Sequence, residues 1–442
     1  MIILIYALLL LLTLVIGNNL YRSLLNPISI WASIWAIVGI FSNLAFFEYY
    51  KPSGYVNLVI IVGIIVYSTY CIFHGLNNRR LAFISVNKQE FDLNIQFNVF
   101  LIINLISIAI EFPFFIKAVR IYLNYGFNMA YLRGVLTDAS EGIISGGLIS
   151  IIRDSGIKNV YTLSCIYAAV LMGSGKKNKY KRWIVLFAIL ETMEYCITNA
   201  ARLYLVNFVF FIVFAVIFFN GKRFISAFMR NKGLVALIGV LIVFGLIIQN
   251  SRASDMSILK TIYMYYCSGP TYLSRLLEDS STAIRINSDF YWGTVTLGFI
   301  SNIFYYLQIA LTGINNSTVK LIASTITIKQ YFVGQSTYLN AMCTCFYAFL
   351  ADWGTIGAII GPMISAIITC RYFRKMKFRK NLGSMAICIY VFYLMFRTVF
   401  KWDLLYIDFT VLLLLNYFIC PIPGQRFVIF SVNWSEYDVS KD

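Results

Sequence analysis

Apolar windows of about 17 to 25 residues, the length needed for a helix to cross a bilayer, recur along this chain from its first residue almost to its last. They place spans near residues 1–17, 28–47, 55–74, 97–119, 159–174, 183–200, 203–220, 234–249, 338–371, 385–400 and 404–420. The pattern predicts an all-α polytopic membrane protein with about eleven transmembrane helices, built as a single integral membrane domain over residues 1–442. Residues Met1 to Ile16 lack a basic leader and a small-residue cleavage site, so they are expected to be a retained span. No internal repeat is evident.

Two long connections interrupt the spans, residues 120–158 and 249–336. Loops without a role in compact proteins are short, so chemistry is expected at these two. The apolar stretch from Phe290 to Gly313 in the second could lie in the interface or cross the membrane. The second connection leads into 338–371, which is too long for one span and too short for two with a proper turn. Asp352, Trp353 and Gly354 fall in its middle. We read 338–351 as a helix near the surface, followed by a glycine-rich break and a crossing helix over about 355–371. Irregular backbone at membrane depth is tolerated only where protein or water covers it, so this broken helix should line a cavity.

Composition agrees with that reading. The chain is 60% hydrophobic and 12% charged, whereas soluble domains carry about a quarter charged residues. The net charge of +17 is gathered in short acid-free loops: Lys176, Lys177, Lys179, Lys181 and Arg182; Lys222, Arg223, Arg230 and Lys232; Arg371, Arg374, Lys375, Lys377, Arg379 and Lys380. Basic loops between spans mark the cytoplasmic side, so the charge reports topology and not nucleic-acid binding. Alternation then puts both long connections on the outer side. The nine cysteines sit mostly within spans and indicate no disulfide framework, and with His74 the only histidine no zinc site is expected. Nucleotide-binding and metalloprotease motifs are missing, so no metal or cofactor is expected and any energy must come with the substrate.

Ionisable groups inside spans are costly and commonly functional. Glu191 and Glu194 lie three residues apart on one helical face, with Arg202 at the outer end of the same hairpin. They form either a polar face towards a substrate cavity or an internal salt-bridge network. Arg120, Arg133 and Arg153 fall in the first outer connection, and Arg252, Arg275 and Arg285 in the second. Guanidinium groups hold phosphate and pyrophosphate in a fork that lysine cannot make. Asp352 is the best single candidate for a catalytic or orienting carboxylate; equally it could cap the crossing helix that begins after it.

The segment CITNAARLYLVNFVFF, with Arg202 opening a span, and the segment YLNAMCTCFYAFLADWGTIGAIIGP resemble the bacterial oligosaccharide repeat-unit polymerases of O-antigen and capsule synthesis. In the second segment the resemblance rests on Asn340, Tyr347, Asp352, Trp353, Gly354, Gly357 and Gly361. It covers most of the chain by layout and about 40 residues by motif. The resemblance implies a glycosyltransferase of the GT-C type in the bacterial inner membrane, with two large periplasmic loops. Its substrate would be an undecaprenyl-pyrophosphate-linked oligosaccharide, its surroundings membrane lipid, and a chain-length regulator protein an implied partner. Arg133, Arg202 and Arg252, with Arg275 and Arg285 in reserve, would serve the pyrophosphate. Asp352 and Asn340 would serve the acceptor. Two other readings are a lipid-linked oligosaccharide flippase and an O-antigen ligase; the ligase would need an outer-loop histidine, whereas His74 falls at the cytoplasmic end of the third span.

Overall fold

The computed structural model describes residues 1–79, 91–125, 135, 152–250, 258–280, 290–312, 329–339 and 342–421. The first part of the chain forms α1 (Ile2–Tyr21), α2 (Ile34–Leu44), α3 (Gly54–Asn77), α4 (Phe97–Asn124), α5 (Lys158–Ser174), α6 (Lys181–Thr198), α7 (Leu203–Asn220), α8 (Phe224–Arg230) and α9 (Lys232–Asn250). The second long connection holds α10 (Ile258–Cys267), α11 (Gly269–Glu278), α12 (Gly298–Thr312) and a short antiparallel pair, β1 (Tyr331–Phe332) with β2 (Tyr338–Leu339). The chain continues through α13 (Thr344–Trp353), α14 (Gly357–Arg379), α15 (Leu382–Arg397) and α16 (Asp408–Ile419).

Among the described residues, five helical segments are long and apolar enough to cross a membrane: Ile2–Tyr21, Gly54–Asn77, Phe97–Asn124, Leu203–Arg230 and Thr344–Arg379. Shorter apolar helices follow at Ser29–Leu44, Lys232–Leu241, Leu382–Arg397 and Asp408–Ile419. Large apolar side chains stand exposed along these helices, including Leu4, Leu8, Leu11, Leu58, Ile102, Ile106 and Phe112. Apolar surface on that scale is unfavourable in water and natural against lipid chains. The protein is an all-α membrane protein. Helix α12 has 15 described residues and is not among these apolar segments.

The bundle has two chemically distinct ends. At one, the Lys176 ammonium donates to the Phe91 carbonyl, the Phe91 ring packs on Phe219, and Asp92 exchanges backbone hydrogen bonds with Lys380 and Leu382. Those contacts bring the three basic loops together, as the alternation of spans requires. Helices α5 and α7 run parallel away from this end, meeting where the backbone of Ala215 comes within 3.0 Å of a Cβ built on Gly173. Close approach through small residues is how helices associate where no water drives them together.

The broken helix is real, but its first half is shorter than the sequence suggests. Residues Tyr338 and Leu339 are extended, and α13 starts only at Thr344. No capping side chain marks that start. The amides of Thr344 and Cys345 are instead satisfied by the carbonyls of Phe400 and Thr398, more than fifty residues later. The break falls at Gly354, whose φ of +57° suits glycine and where a Cβ would meet the Phe290 ring at 2.8 Å. Beyond it α14 folds back along α13, with the Phe349 ring lying against Gly361. Phe346 packs beside Gly63, well inside α3, so the hairpin reaches into the bundle.

Candidate functional site

Opposite the basic end, the corner between α15 and α16 carries an ion-pair cluster. The Arg397 Nε lies 2.8 Å from Asp403 Oδ2, and the Lys401 Nζ lies 3.4 Å from Asp403 Oδ1. Beside them the Lys158 ammonium, at the start of α5, meets Asp408 Oδ2 at 2.5 Å. Arg397 also donates to the Tyr393 hydroxyl at 2.8 Å. Burial acts to raise the Asp403 carboxyl, but Arg397, Lys401 and Lys158 outweigh it and hold the group below the usual carboxylate range. The Arg397 Nε and Asp403 Oδ2 are close but out of line, so neither completes a hydrogen bond. The pair is held by charge, with the Arg397 Nε buried against Asp403.

A second pair lies deeper. Arg153, in the π-helical turn Ile152–Ile157, grips Glu111 of α4 through Nε at 2.6 Å and a second nitrogen at 2.7 Å. Thr198 and Asn199 accept from the same guanidinium at 3.3 and 3.4 Å, and the rings of Phe114 and Tyr195 lie 5.3 and 5.7 Å from it. Exposure separates the two clusters. Arg153 and Glu111 are 1% and 0% exposed, whereas Arg397 and Lys401 are 16% and 37% exposed. Arg397 and Lys401 are open to the outside, and Arg153 is not. Tyr204 bridges the clusters, within the field of both Lys158 and Arg153, and its carbonyl accepts from Tyr161.

Asp352 joins the second long connection to this corner. Its carboxylate is fully buried and accepts from the amides of Val295 at 3.1 Å and Thr296 at 2.5 Å. The Thr296 carbonyl in turn accepts from the Trp402 indole at 2.8 Å, next to Asp403. Asn302 and Thr410 add bonds to the Leu405 and Phe299 carbonyls. Asp352 thus orients a segment of the long connection against the ion-pair corner; the amides it caps are those of the turn before α12, not those of α14. Replacing Asp352 with asparagine is expected to cost about 2–3 kcal/mol, because one buried amide loses its acceptor and the other a charged one. Denaturant unfolding in mixed micelles checks this. An unchanged midpoint would remove Asp352 from its role as the latch.

The other expected site residues are scattered more widely. Arg202, just before α7, lies 5.9 Å from the Tyr265 ring of α10. Arg275 makes an exposed ion pair with Glu278 at 3.2 Å and lies over Tyr50, at an open cleft of about 440 Å³ lined also by Phe332 and Gln335. Glu191 and Glu194 are both buried, as a shared face requires; Glu194 lies near the Arg153–Glu111 pair, and Glu191 is apart from it. Arg133, Arg252, Arg285 and Asn340 lie outside the described residues. Sequence reasoning missed Arg397, Lys401, Asp403 and Asp408. The signal was present: Arg397, Lys401, Asp403 and Asp408 crowd the short connection between two apolar segments.

Comparison with known proteins yields no match: no family model, curated protein or solved structure is similar to the chain.

Proposed function

We propose that the chain is a glycosyltransferase of the bacterial cytoplasmic membrane that polymerises undecaprenyl-pyrophosphate-linked oligosaccharide repeat units at the periplasmic face. The observation that carries this reading is the partly exposed Arg397–Lys401 cluster, which sits opposite the basic end and is held in place by the long connection through Asp352 and Trp402. Such a reaction needs stabilisation of a departing pyrophosphate, which fixed cations supply where charge develops. It also needs an oriented acceptor hydroxyl, and Asp352 serves this by positioning the loop. Arg202 flanks the site on the α10 side. Counting α1 to α7, α9 and α14 to α16 as crossings gives about eleven, a GT-C-like arrangement with both long connections outside.

One observation favours a flippase instead. Buried ionisable groups in spans commonly serve proton relays in transporters, and Glu191 is such a group. Reconstitution separates the two readings. Purified protein given lipid-linked repeat units is expected to release a ladder of glycan lengths, and Arg202→Ala to shorten or abolish it at equal protein level. Movement of the substrate between leaflets with no change in its length would overturn the polymerase.

A further inference from the structure

Asn104, Ser107 and Glu111 follow one face of α4 at helical spacing and look towards Glu191 and Glu194 of α6, with Ser164 of α5 completing the wall. This line of buried oxygen atoms ends at the Arg153–Glu111 pair. Glu191 stands in its interior, 1% exposed, and among the described residues neither carboxylate oxygen completes a hydrogen bond. Ser107 and Ser164 are its hydroxyl neighbours, and Ser164 already donates to Asn104 Oδ1 at 2.7 Å. Among the described residues no cation pairs with Glu191; Arg153, the basic group at the end of the line, is already neutralised by Glu111.

We propose that Glu191, with the oxygens of Ser107, Ser164 and Asn104, forms a binding site for a small monovalent cation, either a proton or a sodium ion. A lone ionised carboxylate in a membrane interior is strongly disfavoured, so Glu191 is neutral through a bound proton or compensated by a bound ion. The oxygen-only donor set suits a hard cation. A single carboxylate suits one positive charge, since divalent sites gather more ligand charge or more oxygens. The titratable groups beside it are Cys165 on α5 and Glu194 and Tyr195 on α6, with Glu111 and Arg153 lying beyond Glu194. This site stands apart from the reaction proposed above, and its test does not depend on that reaction.

Dicyclohexylcarbodiimide reacts with protonated carboxyls in apolar surroundings, so it reports the occupancy of Glu191 directly. The full chain in lipid nanodiscs is labelled across a pH series in sodium chloride or choline chloride, and adducts are located by mass spectrometry. The expected result is an adduct on Glu191 that Glu191→Gln removes, with a rate falling about ten-fold per pH unit above its midpoint. Protection of about five-fold or more by saturating sodium assigns the ion as sodium. Labelling set by pH alone assigns it as a proton. Ser107→Ala, which keeps every charge, is expected to weaken sodium protection or move the pH midpoint, and it serves where Glu191→Gln fails to fold. Glu191 left unlabelled at every pH in both salts, or labelled at a rate indifferent to pH and sodium, overturns the proposal.

Discussion

Under the proposed polymerase function, Arg397→Ala is expected to lower the rate of glycan polymerisation by about 10²–10³-fold, the loss typical of removing one preorganised donor from a site where charge develops. The guanidinium sits in a partly buried corner with Asp403, Tyr393 and Lys401 fixing its position, so little reorganisation is needed when an anion arrives. Arg397→Lys keeps the charge but loses the fork and is expected to recover only part of the rate. Asp403 keeps Lys401 as a partner in either variant, which limits the structural damage. The measurement is ladder formation by purified protein, normalised to folded material. A wild-type rate from Arg397→Ala would take this residue out of the mechanism and shift attention to Arg202 and Arg275.

The largest effect on stability is expected at the deeper pair. Arg153→Met should destabilise the protein by about 3–5 kcal/mol, because it leaves the Glu111 carboxylate buried without its counter-charge. The same substitution combined with Glu111→Leu should recover most of that loss, since replacing both members of a buried pair with apolar residues is often neutral or stabilising. Denaturant unfolding in mixed micelles measures both. If the double variant is no more stable than Arg153→Met, the pair is not what holds the π-helical turn in place, and the Tyr195 hydroxyl, which donates to the Arg153 carbonyl, would carry that role instead.

Asp352 shows how far local pattern extends. Its position before Gly354 announces a break, and the break is there, because the backbone geometry required at that glycine is a local property. The groups it binds, the amides of Val295 and Thr296, lie more than fifty residues earlier and leave no mark near Asp352. The start of α13 was misplaced for the same reason: a helix capped by distant carbonyls carries no local start signal, whereas α15 begins with an Asn381–Ser384 capping box that could be read directly. The pairing of Arg153 with Glu111 is equally remote. Arg153 stood among six outer-loop arginines of similar promise, and only packing decided that it would be neutralised.

By itself the sequence determined the solvent, the fold class and the polarity of the bundle. Helix length in a bilayer depends on local apolar content, and the gathering of basic loops at one end follows from counting the spans between them. Which charges became structural and which stayed accessible was decided by tertiary structure alone. A buried charge needs a partner at hydrogen-bond distance, and that partner comes from whichever helix packs alongside: Glu111 for Arg153, Asp408 for Lys158, and, among the described residues, none for Glu191.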